Sequence, residues 1–232
     1  ALFATIWATC VVYFLITIIF FIVVKLWRLD VQTFLAPLIF GNTGNLGLPL
    51  ALFAFGEVGL SYAVIVFAVM GIYSFTFGIW LVSGGGSPLK VIKEPLVGAT
   101  LLGGLFMLQG WQTPLWMTNT LELIGQMAIP LMLITLGVAL ARLTAENVIR
   151  GVLLSFVKVI ICTTMAFSIG QFFELAPIAL AVLVLQVSTP VAVTSYLLAE
   201  KYGVEAGEVA SLVVVSTLLS VVTISITLAF LV

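Results

Sequence analysis

Charge is what this 232-residue chain has least of. Asp, Glu, Lys and Arg make up 7% of it, against about 25% in ordinary soluble domains. Too few charges are present to clothe a soluble surface, so a soluble fold is excluded. Histidine is absent altogether. Its absence removes Ser-His and Cys-His nucleophile activation, most zinc sites and histidine proton relays. The only aspartate, Asp30, falls between two apolar runs, which excludes an aspartyl dyad inside a membrane. The two cysteines, Cys10 and Cys162, both lie within apolar runs and read as small packing residues rather than a disulfide. The formal net charge of -1 leaves no basic surface for nucleic acid. No Lys-Ser/Thr pair follows Gly84-Gly85-Gly86, so that glycine run is not a nucleotide loop. An intramembrane enzyme is the least supported class; no cofactor, no catalytic residue and no metal ligand set is expected.

Apolar residues fill the space, at 63% of the chain. A helix needs roughly 20 apolar residues in succession to cross a bilayer. Eight such runs occur, at 2–27, 33–56, 60–83, 91–108, 119–141, 149–172, 176–199 and 208–232. They predict an all-α polytopic membrane protein. Trp111 and Trp116 mark an interfacial turn between the fourth and fifth runs. If the spans alternate, Lys25, Arg28, Lys90, Lys93, Arg142, Arg150 and Lys201 all fall on one side and none on the other. Basic loops stay in the cytoplasm, so the covered termini are expected outside, in a multi-pass protein of the cell inner (plasma) membrane. The chain opens on apolar residues at Ala1, with no Met and no basic n-region, which reads as a missing N-terminal part rather than a signal peptide.

The second span carries a polar interruption, Phe40-Gly41-Asn42-Thr43-Gly44-Asn45-Leu46-Gly47-Leu48-Pro49, where lipid is thickest. Pro49 has no N–H and its ring clashes with the preceding turn. Glycine favours non-helical backbone. A broken helix is expected, and such a break survives at membrane depth only where protein or a water-filled cavity covers it. The seventh span carries its own interruption, Gln186-Val187-Ser188-Thr189-Pro190, followed by Thr194 and Ser195. Aligning Gly56 with Gly203 sets Pro190 level with Thr43. The second span runs outward and the seventh inward, so the pattern is that of an inverted repeat. Spans one to three match six to eight. The division expected is 1–83 as the last three spans of a first repeat, 84–90 as a cytoplasmic linker and 91–232 as a second five-span repeat. The intact protein would then have ten spans.

The motifs from Phe40 to Leu50, from Ile129-Pro130-Leu131 through Leu136-Gly137-Val138-Ala139-Leu140, and from Thr189-Pro190 through Thr194 to Gly203 resemble those of the auxin efflux carrier family, also called AEC or PIN-like transporters, in its bacterial branch. The resemblance covers nearly the whole chain after Leu35. It implies ten spans in two inverted five-span repeats, with two broken helices crossing at prolines near the midplane. It also implies carriage of organic anions such as auxin, malate or malonate. Asn42 and Pro49 on one crossing helix, and Pro190 on the other, are the positions it carries over. The absent N-terminal spans are a departure, since in this family they help form the scaffold and a homodimer surface.

A broken helix exposes free N–H groups at one half-helix and free C=O groups at the other, and the N-terminal end favours an anion. Two such ends facing each other would clasp a carboxylate without a charged side chain. Asn42, Thr43, Asn45, Gln186, Ser188, Thr189, Thr194 and Ser195 are candidate donors; the competing reading is that they satisfy backbone freed by the prolines. Lys158, inside the sixth span, is either a counter-ion for a substrate carboxylate or a side chain snorkelling to the cytoplasmic side. Gln126 faces either the cavity or a neighbouring helix, and Glu122 reads as interfacial. The leading expectation is a secondary active transporter of a small organic anion working by alternating access. A sodium-coupled symporter of the bile-acid type, with proton coupling also open, and a non-transporting membrane sensor are the alternatives.

Overall fold

The structure is a computed structural model that describes residues 2–85, 95–145 and 147–231. The chain forms α1 (Leu2–Leu26), α2 (Val31–Ile39), α3 (Leu48–Tyr73), α4 (Ile79–Val82) and α5 (Pro95–Gln109). It continues as α6 (Leu115–Arg142), α7 (Val148–Phe172), α8 (Pro177–Val187), α9 (Val193–Tyr202) and α10 (Ala206–Leu231). A π-helical turn over Thr43–Gly47 leads into α3, and a second, over Ser74–Gly78, joins α3 to α4. Among the described residues there is no strand; one isolated antiparallel bridge pairs Gly41 with Val191. The protein is therefore an all-α polytopic membrane protein. The expected linker over 84–90 and the basic pair Lys90 and Lys93 lie largely outside the described residues.

Among the described residues, five helical stretches are long and apolar enough to cross a membrane: Leu2–Leu26, Thr43–Val82, Leu115–Arg142, Val148–Phe172 and Ala206–Leu231. The second is 40 residues long. At about 1.5 Å per residue it is roughly twice as long as a 30 Å hydrocarbon core requires. It bends at Gly56, whose φ of 64° and ψ of −159° break the helix near the boundary between the second and third apolar runs. Gly203, level with Gly56 in the alignment, closes α9 in the left-handed conformation at φ 71°. A Cβ at either position would meet nothing within 4 Å. The backbone favours glycine at both: Gly56 lies in a positive-φ region that essentially only glycine enters, and at Gly203 a left-handed residue would bring its Cβ against the next carbonyl.

The two short helices ahead of the breaks form the centre. In α2 the residues from Thr33 to Ile39 are all buried, and α8 is buried from Ala181 to Val187. A helix covered on every side is expected to be apolar all round, and in these buried stretches only Thr33 and Gln186 depart from that. The long helices make the shell: α1 and α10 pack on α2, while α3, α7 and α10 pack on α8. Along α1 the buried residues Ala8, Val12, Ile16, Phe20 and Val24 recur every fourth position and form one face. Its other face exposes Phe3, Trp7, Phe14 and Phe21, apolar groups that suit lipid. Buried hydroxyls return to their own helix, as Thr9 does to Thr5 O at 2.7 Å and Ser155 to Gly151 O at 2.6 Å. The helix α6 stands at the edge; Leu136 is its only residue among the buried set, and it touches the Thr43–Gly47 turn. At the membrane end of α7, Arg150 pairs with Glu208 of α10 at 2.7 Å.

A side chain at Gly56 must adopt the left-handed conformation or straighten the bend. Gly56→Val is expected to cost at least about 1–2 kcal/mol, a fall in Tm of roughly 2–8 °C at this chain length. Thermal unfolding of the solubilised protein measures it; an unchanged Tm would show that the bend does not depend on a left-handed residue.

Candidate functional site

The break in the first interrupted span falls earlier than Pro49 alone would place it. Helix α2 ends at Ile39, and Phe40 is already extended at φ −90° and ψ 116°. From there the main chain runs antiparallel to the second break. Asn42 N donates to Pro190 O at 2.7 Å and Ala192 N donates to Phe40 O at 3.2 Å. Val191 N is taken by Ser216 Oγ of α10 at 3.0 Å. Each break thus supplies partners for main-chain groups that lipid could not satisfy. The approach requires Gly41: a Cβ there would run into the Thr189 hydroxyl and stand 3.2 Å from Thr189 O.

Beyond the crossing the chain re-enters helix through a widened turn. Leu46 N and Gly47 N both donate to Asn42 O, at 3.3 and 3.0 Å, and Leu48 N reaches back to Thr43 O. Pro49 follows in the first turn of α3, where a missing N–H costs least. In the second break α9 begins at Val193, with Ser195 N on Ala192 O at 3.0 Å. The opening N–H groups of a helix have no partner within it and carry its positive end.

Both of these helix beginnings line the same cavity, of about 170 Å³. Asn42, Asn45 and Thr194 line it, with Gly41 and Gly44 allowing the backbone to come close. Asn42 is 5% exposed, and its Nδ2 has no protein partner. Phe67, Met70, Ser74 and Met132 form the apolar side. Among the described residues, no charged side chain lines the cavity. The arrangement can hold a negative group with amide donors and helix dipoles alone.

The carbonyl ends of the broken helices point to other partners. Thr189 Oγ1 donates to Gln186 O at 2.7 Å and Ser188 Oγ to Leu185 O at 3.1 Å, which closes α8. Lys158 closes α2 from α7, its Nζ donating to Leu38 O at 2.8 Å. Lys158, Ser188 and Pro190 line a separate hollow of about 10 Å³, room for about one water. Lys158 is 1% exposed, and its head is turned to the crossing.

Of the residues singled out in the sequence, then, Asn42, Asn45 and Thr194 meet in the cavity, and Lys158, Ser188 and Pro190 meet behind it. Thr43, Pro49, Gln186 and Thr189 line neither. Thr43 and Gln186 are fully buried with side-chain atoms that have no protein partner, and a Cβ on Gly47 would collide with the Gln186 amide. Thr189 packs over Gly41. Sequence reasoning missed Phe67, Met70, Ser74 and Met132. Ser74 opens the second π-helical turn, a distortion frequent at functional sites, but nothing in the apolar letters around it marks that turn.

An apolar helical bundle with two interrupted helices meeting at an inner cavity is the architecture of a membrane transport protein. The comparison with known families agrees: the family described as membrane transport protein matches residues 1–228. The chain belongs to this family, the auxin efflux carrier-like transporters. An uncharacterized transporter of Methanothermobacter thermautotrophicus is 30% identical over 205 residues, covering 85% of this chain and 66% of that protein. An uncharacterized transporter of Methanocaldococcus jannaschii is 26% identical over 199 residues, 80% of this chain and 63% of that one. A Rhizobium meliloti protein provisionally named a malonate transporter is 26% identical over 205 residues, 80% of this chain and 62% of its own length. The chain spans a little under two thirds of these curated relatives.

The two glycines beside Asn42 separate crossing from cavity. A Cβ at Gly41 meets Thr189 main chain as well as side chain, whereas a Cβ at Gly44 meets the Phe67 ring alone, at 2.9 Å. Overpacking a tight site costs about 1–3 kcal/mol. Gly41→Ala is therefore expected to lower Tm more than Gly44→Ala; the reverse order in paired melting curves would mean that the breaks are not held in close contact.

Proposed function

We propose that this protein is a secondary active transporter that carries a compact organic anion across the plasma membrane by alternating access. The observation that carries the reading is the single cavity lined by the N-terminal turns of both re-entering half-helices together with the unpartnered Asn42 Nδ2. Asn42, Asn45 and Thr194 bind the carboxylate, and Phe67 and Met70 cover its carbon frame. Size narrows the cargo. A cavity of about 150 Å³ takes one benzene, so 170 Å³ suits a short mono- or dicarboxylate better than an indole acid. The Rhizobium meliloti relative, by its name a carrier of malonate, supports that choice.

The same reading includes two inverted repeats. Helices α1, α2, α3 and α4 follow the same order of long helix, short buried helix, break and bent return as α7, α8, α9 and α10. Their breaks run antiparallel where they meet. One repeat rocking on the other about this crossing would open the cavity to each side in turn. Basic loops face the cytoplasm.

Two measurements test the reading. Ligand that binds the folded state alone adds about 2.7 kcal/mol at a hundred times its Kd. A thermal-shift panel on the purified protein should show malonate and its near homologues raising Tm and bulky aromatic acids leaving it unchanged. Hydrogen bonds to charged groups are worth about 1.5–3 kcal/mol. Asn42→Ala is accordingly expected to lower uptake of the stabilising anion at least about tenfold, with yield intact. Undiminished uptake by that variant would return Asn42 to the packing residues.

A further inference from the structure

Lys158 is the only charged side chain among the buried described residues, and no carboxylate is buried with it. Its partner, Leu38 O, belongs to the last turn of α2, where carbonyls lack intrahelical donors and the negative end of the dipole lies. The equivalent end of α8 is closed locally by Ser188 and Thr189. Helix α2 runs out in Leu38-Ile39-Phe40-Gly41, which offers no side-chain donor, so the donor must come from another helix. Around the ammonium, Ser155, Ser188, Ser216 and Ser220 line the small hollow with hydroxyl oxygens. A half-helix carbonyl end with neutral oxygens about it is the setting in which membrane carriers hold a coupling cation, and hard cations choose such oxygens.

We propose that the Lys158 ammonium is a tethered cation. It occupies permanently the place that a dissociable monovalent cation would take at the open end of α2. It neutralises that end, clamps α2 to α7, and leaves the crossing with no need of sodium at this position. The groups around it do not compete for the charge. Along α7 the neighbouring titratable group is Cys162, and α1 contributes Tyr13. The lining from α8 and α10 is hydroxylic or apolar, and Glu208 of α10 is engaged by Arg150.

The test reads stability, so it stands apart from whether an organic anion is carried. Truncating the side chain opens a hole lined by Leu38 O and serine hydroxyls. In a buffer whose only cation is N-methylglucamine, the full chain with Lys158→Ala should melt about 5 °C or more below wild type. Ammonium, methylammonium or sodium should restore part of that loss, while wild type should not respond to the same exchange. Lys158→Met fills the hole without charge and should stay low and unresponsive. Wild-type stability in Lys158→Met, a Lys158→Ala variant deaf to every small cation, or a wild type that needs sodium would each overturn the proposal. If Lys158→Ala cannot be purified, Lys158→Met and the wild-type salt exchange decide the matter, and with neither variant in hand the wild-type exchange alone does.

Discussion

The structure depends on the need to pair every main-chain group away from water. Two spans of this protein stop being helical at membrane depth, and lipid offers those peptide groups nothing. The solution is reciprocal. Phe40 and Asn42 of one break exchange hydrogen bonds with Ala192 and Pro190 of the other, and Ser216 takes Val191 N. Neither interruption could be accommodated without its counterpart. The burial of α2 and α8 at the centre of the bundle follows from the same need, because an open break must be enclosed by protein.

The four helix ends created at the crossing are treated differently by sign. The two carbonyl ends are closed, one by hydroxyls of its own chain segment and the other by an ammonium from α7. The two N–H ends open on a cavity that no charged side chain lines among the described residues. With the negative ends closed and the positive ends free, the cavity could take an anion on dipoles alone, which supports the proposed carriage of an organic anion. The apolar side chains opposite, Phe67 and Met70, keep that charge interaction in a low-dielectric setting, where it counts for more. On the proposed reading, function and fold draw on one feature, the unpaired ends of broken helices.

Much of this was legible in the letters. The spans were readable because their length is dictated by bilayer thickness, and the breaks because Asn, Gly and Pro are conspicuous in an apolar run. Gly56 and Gly203, set level in the alignment, share a positive φ but differ in ψ, −159° against 30°, so one breaks a helix and the other caps one. Other features had no local mark. Pro49 drew attention as the breaker, yet the chain leaves the helix at Phe40 to Asn42, where it pairs with the second break, and the proline falls in the first turn of α3. Gln186 looked like a ligand and lies behind Gly47 instead. Nothing in the apolar letters around Phe67 and Met70 marks them as lining the cavity.

By itself the sequence determined the class of protein, all-α and polytopic in the membrane, and marked the two apolar runs in which helix fails, for these follow from hydropathy, helix length and backbone chemistry acting over a few turns. Only the tertiary structure decided which ends of the broken helices face one another and which side chains share their cavity. It alone gave Lys158 a partner in Leu38, 120 residues away in the chain. Those are contacts between segments whose local sequences are equally compatible with other neighbours, so they are settled by packing and by the demand that every buried polar group find a partner.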